Sequence, residues 1–126
     1  MPEILIIATG GAVGASLRYL TGLGVFKVAG TSKVYTATVV VNILGCFTAG
    51  LILAWIDLFD PGLPQTILFL TTGILGSYTT FSTFALEALE LMKFSLKKTA
   101  QYLFLQVIVA VSSVGVGYGL VYVISV

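Results

Sequence analysis

The stretch GSYTTFSTF, Gly76 to Phe84, sets five hydroxyl side chains among Tyr78, Phe81 and Phe84 in the middle of an otherwise apolar run. They are Ser77, Thr79, Thr80, Ser82 and Thr83, and their reading decides the fold. A hydroxyl in a membrane helix commonly bonds the carbonyl one turn back. That habit covers two or three of them, but poorly covers five within seven positions, directly after TTGILG at Thr71 to Gly76. The alternative is a broken helix with exposed carbonyls, tolerated in a membrane where the backbone lines a cavity or meets an ion. Phe81 and Phe84 share one helical face at i,i+3 spacing. They either pack in a core or direct their positive ring edges at an anion.

Outward from this stretch, composition demands a bilayer. The chain has 126 residues, 58% hydrophobic and 9% charged, where a soluble domain carries about 25% charge. A spanning helix needs about 20 mostly apolar residues. Four runs qualify, at about Ile4–Phe26, Val34–Ile56, Gln65–Met92 and Thr99–Ser125. DLFDPGLP, Asp57 to Pro64, is a turn signal between the second and third. Short connections make neighbouring helices antiparallel. The expected architecture is all-α: a single four-span domain over residues 1–126 with a broken third helix. MPEILIIATGG at the start has Glu3 and no basic region, so the first run reads as a spanning helix rather than a cleaved signal. Gly11 with Ala15, and Gly115 with Gly119, have the four-residue spacing that lets membrane helices approach closely.

The ionisable residues exclude several function classes. Net charge is +1, which leaves no footprint for nucleic acid. One cysteine rules out an internal disulfide, and the absence of histidine rules out histidine catalysis and histidine-rich metal sites. No nucleophile–base pair can be assembled, so an enzyme is not expected. Lys27, Lys33, Lys93, Lys97 and Lys98 lie on the side opposite both termini, with Arg18 low in the first span. Positive-inside reasoning puts that side in the cytoplasm of a multi-pass cell-membrane protein.

The polar residues inside the spans are the candidate site. Arg18 is either an interfacial anchor or part of an electropositive vestibule that gathers anions. Asn42, on one face with Thr38 and Cys46, either joins two helices or offers its NH₂ to a passing anion. Cys46 reads as a small packing residue, with no basic neighbour to activate it. Glu87 is either a proton site or a shielded surface residue, and Glu90 is spaced to bridge to Lys93. Tyr102, Gln106, Ser112 and Ser113 form a polar stripe facing the third span.

These residues resemble the CrcB/Fluc family of small fluoride channels over nearly the whole chain. GGAVGASLRY at Gly10 to Tyr19, TVVVNILG at Thr38 to Gly45 and TGILGSYTTFSTF at Thr72 to Phe84 carry the likeness, in order and within four spans. The resemblance implies an antiparallel dimer of four-helix subunits with two fluoride pathways along its interface. It also implies a sodium ion at the dimer centre, held by the carbonyls of Gly76 and Thr79 where the third helix breaks. Phe81 and Phe84 would flank the fluoride path, Asn42 would line it, and Ser82 and Thr83 would supply hydroxyls; Ser112, from the polar stripe of the fourth span, is expected to line it too. Arg18 would sit in the vestibule and Glu87 near a pore end. The chain departs from the family pattern at Ala37, Ser77 and Ala85.

Passive fluoride export, lowering fluoride toxicity, is therefore the leading expectation, with fluoride, sodium, the lipid bilayer and an identical or homologous subunit as partners. A small dimeric proton-coupled transporter is the alternative. It ordinarily needs a carboxylate deep in the first span, where this chain has only Glu3 at the start. A non-conducting packing subunit is a third reading, disfavoured by the clustered polarity of Asn42 and TTFSTF.

Overall fold

The computed structural model of the chain describes residues 2–30 and 34–126. Lys33, one of the lysines assigned to the cytoplasmic side, lies outside them. The described residues are all helix and connection. Helix α1 spans Pro2–Ala29 and α2 spans Val34–Phe59. The third span, Pro64–Phe94, is divided into α3, residues 64–78, and α4, Phe81–Phe94. The fourth is α5, Leu96–Ser125. All four spans are apolar enough to cross a membrane; the first and third run slightly past both expected ends, the second past its C-terminal end and the fourth past its N-terminal end.

The turn before α3 has an identifiable local cause. Asp60 (φ 38°) and Gly62 (φ 59°) take left-handed backbone, which glycine adopts freely and aspartate tolerates. Pro64 then opens α3, where its missing N–H costs no helical bond. At the opposite end, Lys27 closes α1, Lys93 closes α4, and Lys97 and Lys98 open α5. The described lysines thus gather at one end of the bundle.

The helices pair as α1 against α3 and α2 against α5, while α4 leans on the start of α5. Glycine makes both main pairings possible. A Cβ on Gly14 would lie 2.2 Å from the Ile74 carbonyl oxygen, and one on Gly50 would lie 2.1 Å from that of Val114. The seam is therefore backbone against backbone. The spacing expectation named the correct helices but the wrong glycines. Gly11, Gly115 and Gly119 meet nothing within 4 Å and face away from the subunit interior, whereas Gly10, Gly14, Gly50 and Gly117 form the contacts.

The buried core is small: Ala37, Val39, Val41, Ala54, Ala88, Leu91, Tyr102 and Ala110. Large apolar side chains such as Ile4, Leu20, Leu89, Val111 and Ile124 stay exposed. Lipid offers them an environment as apolar as a protein core, so the hydrophobic effect that buries such residues in water does not operate.

Candidate functional site

The break in the third span falls at two residues. Thr79 (φ −75°, ψ 157°) and Thr80 (φ −145°, ψ 122°) are extended, with helix on either side. Before the break, α3 widens into a π-helical stretch, Phe69–Leu75, and returns to α-helix at Gly76–Tyr78. The glycine and hydroxyl cluster predicted this interruption, and the structure accounts for the hydroxyls individually. Ser77 Oγ lies 2.8 Å from the Gly11 carbonyl of α1 and 2.9 Å from that of Gly73. Thr79 Oγ1 donates back to the Leu75 carbonyl. Thr80 caps α4, its Oγ1 accepting the Thr83 N–H at 3.3 Å. Ser77 thus ties α3 to α1, and the break falls two residues later.

Asn42 on α2 meets the freed backbone. Its Oδ1 accepts the Thr80 N–H at 2.9 Å, and its Nδ2 donates to the Thr80 carbonyl at 3.0 Å. The other Nδ2 proton goes to Gln106 Oε1 on α5 at 2.9 Å. From there the bonds continue: Gln106 Nε2 donates to the Tyr102 hydroxyl at 3.1 Å, and Tyr102 donates to Glu87 Oε2 on α4. Thr38 on α2 donates to the other carboxylate oxygen at 2.9 Å. Thr38, Tyr102 and Gln106 are all buried. Apart from the Asn42 bond back to the Thr80 carbonyl, the donors run from the helix break toward Glu87, so a chain of polar contacts crosses the apolar bundle and ends on a carboxylate whose two oxygens both accept. Among the described residues, no buried polar side-chain atom lacks a partner.

A groove of about 320 Å³ opens beside the break, lined by Asn42, Thr79, Thr80, Phe81, Phe84 and Gln106 together with Cys46 and apolar residues of α5. Phe81 and Phe84 form an edge-to-face pair, with centroids 5.4 Å apart and planes at 64°. Phe84 is half-buried against Tyr102, at 5.8 Å between centroids. Phe81 is 78% exposed, which excludes core packing within this subunit.

The remaining predicted positions sort by geometry. Thr80 N–H goes to Asn42 and Thr83 N–H to Thr80 Oγ1. The carbonyls of Gly76 and Thr79 are thereby deprived of the amides that a continuous helix would bring to them. Ser82 and Thr83 are exposed at the start of α4 beside Phe81. Glu87 lies at the far end of the hydrogen-bonded chain rather than at the groove. Ser112 is apart from all of these, in a separate surface depression with Ile43, Leu44 and Phe47. Arg18 is half-buried on the face of α1 that carries Gly14 and Thr21, both of which touch α3. Among the described residues it forms no ion pair, and neither do Glu90 and Lys93, whose expected bridge is not made.

Tyr102 and Gln106 are central here, yet the sequence presented them only as part of a polar stripe. The available signal was their four-residue spacing, which puts both on one face of α5. A π-helical stretch, Phe104–Val109, surrounds Gln106 and shifts the register of that face.

A broken span whose freed backbone is met by a neighbouring side chain is the arrangement membrane proteins use around a polar path or ion site. With four apolar helices about it, this is a multi-pass membrane protein of the solute-conducting kind. The chain belongs to the CrcB-like protein, Camphor Resistance (CrcB) family, whose profile matches residues 5–118. It is 38% identical over 124 residues to a protein of Agrobacterium fabrum named fluoride-specific ion channel FluC, covering 95% of this chain and 96% of that one. Proteins of the same name from Methylobacterium sp. (34% over 123 residues, 96% and 97%) and Dehalococcoides mccartyi (44% over 93 residues, 74% and 71%) are also similar. The bacterial relatives and the four apolar spans make it a multi-pass protein of the prokaryotic plasma membrane.

Proposed function

We propose that the protein is a passive, fluoride-selective channel that lets fluoride leave the cytoplasm. The observation that carries this reading is the groove at the helix break, where aromatic rings, an amide and threonine backbone come together. Fluoride is small and tightly hydrated, so a path must replace its water with several donors yet release it at the other end. Neutral amides, hydroxyls and ring edges meet both demands, since none holds the ion as a buried fixed cation would. The name borne by the relatives supports the same ion. Among the described residues, Glu3 is the carboxylate of α1 and Glu87 is engaged by two hydroxyl donors, so nothing favours a proton-coupled transporter.

The path is completed by a second subunit, identical or homologous, inserted antiparallel to the first. Phe81, Ser82 and Thr83 support this: they are exposed together, and hydroxyls facing outward from a membrane helix belong against protein or water rather than lipid. Asn42, Phe81, Ser82, Thr83 and Phe84 then line the path, with Ser112 further along the α5 surface. Arg18, unpaired among the described residues, serves the vestibule. Glu87 orders the pore-end side chains.

The carbonyls of Gly76 and Thr79 fit a hard monovalent cation, because the amides that would ordinarily meet them are diverted to side chains. A sodium ion held there would supply positive charge against two otherwise unmatched peptide dipoles. Thr80 N–H, held by Asn42, leaves the Gly76 carbonyl free for it, and Thr83 N–H, held by Thr80 Oγ1, leaves that of Thr79.

Purified protein in vesicles loaded with equal concentrations of fluoride or chloride tests the whole reading. Rapid fluoride efflux with chloride retained is expected, unchanged by an imposed proton gradient at fixed membrane potential. Equal passage of both ions, or none of either from a folded dimer, overturns it.

A further inference from the structure

A second hollow, of about 260 Å³, opens at the lysine end of the bundle, where the starts of α2 and α5 meet. It shares no residue with the groove at the helix break. Thr36 and Val39 of α2 line it with Lys98, Gln101, Tyr102 and Leu105 of α5. The Tyr102 hydroxyl is committed to Glu87. The Lys98 ammonium, the Gln101 amide and the Thr36 hydroxyl are not committed: among the described residues none of these side-chain groups has a hydrogen-bond or ion-pair partner. Lys97 and Lys98 stand in the first turn of α5, where the helix dipole favours acids over bases. Their charge therefore serves something other than the helix. Gln101 and Leu105 also border a neighbouring apolar depression with Ala100 and Phe104. From Lys98 to Leu105 the helix descends about 10 Å into the membrane.

We propose that this hollow holds an anionic phospholipid of the cytoplasmic leaflet, its phosphodiester against Lys98, Gln101 and Thr36 and an acyl chain along Leu105 and Phe104. Charge complementarity selects the occupant. Three free donors surround the space, its one formal charge is positive, and no carboxylate lines it among the described residues. Glu87, bonded to Tyr102, already accepts from two hydroxyls. By liquid volume the hollow would take roughly nine waters, which is room for a phosphodiester rather than for a bare ion. Donors at the membrane end give way to apolar wall further in, the same succession as headgroup and chain in a lipid. Orientation alone asks for lysines at this end; it does not ask for a hollow with two further donors. Basic pockets between membrane helices on the cytoplasmic side suit anionic head groups. The proposal is independent of which ion the channel conducts.

Lipid retention by the full-length protein tests it. Purified protein, immobilised in mild detergent, is equilibrated with radiolabelled phosphatidylglycerol or with phosphatidylcholine of the same acyl chains, then washed. Phosphatidylglycerol is expected to stay and phosphatidylcholine to wash away. Lys98→Gln is expected to lower phosphatidylglycerol retention at least about fivefold, the worth of one lysine facing an anionic headgroup. Lys93→Gln removes the same charge from the same end without touching the hollow, and is expected to retain the lipid as the parent does. Both lysines are exposed, so neither change should move the melting temperature. Inorganic phosphate in excess is expected to leave the lipid in place. Equal retention of the two lipids overturns the proposal, since the charge would then not be read. Equal loss in the two variants overturns it by showing diffuse attraction to the lysine end. Displacement by inorganic phosphate overturns it by showing a site for a free anion.

Discussion

Asn42 holds Thr80 at two points, accepting its N–H at 2.9 Å and donating to its carbonyl at 3.0 Å. One side chain thereby satisfies both polar groups of a residue that has left the helical ladder. Asn42→Ala strands both groups, together with the Gln106 oxygen. An unmatched buried polar group costs roughly 1–3 kcal/mol, so a clear fall in detergent melting temperature is expected. Asn42→Asp keeps the acceptor for Thr80 N–H but opposes carboxylate to two oxygens that previously received protons. Fluoride efflux at least about tenfold below the parent is expected when the new acid is ionised, because a fixed negative charge repels the anion.

The two rings separate packing from conduction. Phe81 is exposed in the subunit, so Phe81→Ile should leave its melting temperature nearly unchanged while lowering fluoride efflux. Phe84 also stacks on Tyr102, so Phe84→Ile should lower both. Parallel melting and vesicle-flux measurements on the two variants check this, and unchanged flux in both would remove the rings from the path.

Glycines on the same helices should behave in opposite ways. Gly14→Ala drives a methyl into the Ile74 carbonyl and Gly50→Ala drives one into that of Val114. Overpacking of this kind costs about 1–3 kcal/mol, and poor yield or early melting is expected. Gly11→Ala and Gly115→Ala meet open space within the subunit and should melt like the parent. A shift of either of the latter to smaller size on size-exclusion chromatography would place that glycine at an interface of the proposed dimer.

Glu87 accepts from both Thr38 and Tyr102, one hydroxyl on each oxygen. Glu87→Gln replaces one acceptor with a donor, so one of the two hydroxyls must turn away. Lower thermal stability is expected, with a smaller loss in the double variant Thr38→Val/Glu87→Gln, in which the hydroxyl opposed to the new NH₂ is also gone. Additive losses in that cycle would show that the two residues do not interact.

The described lysines share one end of the bundle, which favours one insertion direction, termini outward. An antiparallel homodimer needs both directions. Single cysteines at the C-terminus, in a Cys46→Ser background, can be labelled from either face of the membrane. Exclusive outside labelling is expected for the chain expressed alone, and it directs attention to a homologous partner of opposite bias. Equal labelling from both faces would remove the fixed orientation.

Much of this was legible in the residues, for reasons specific to each. Four spans follow from run length and the scarcity of charge, and Asp60–Pro64 marks a turn in any solvent. The break was legible because five hydroxyls exceed what back-bonding to a helix can absorb. Its place, near Gly76 to Thr80, was legible too; that Asn42 reaches across from α2 to hold Thr80 was not. Gly10 and Gly14 were hidden among neighbouring small residues, because spacing reveals a helical face and not which neighbour it meets. Gln106 was underread for a different reason: its importance comes from partners on two other stretches, α2 and the start of α5, and from a π-helical turn that no composition announces.

The polar chain from Thr80 to Glu87 has consequences for what can change along it. A backbone N–H at one terminus can only give a proton, and the Glu87 oxygens at the other accept from Tyr102 and Thr38. With both terminals committed, the amides between them have a single consistent reading, and turning either one over would set oxygen against oxygen on one side and hydrogen against hydrogen on the other. Asn42, Gln106, Tyr102 and Glu87 therefore act as one polarised relay: the effect of a substitution at any of the four depends on whether the other three can still alternate givers and takers.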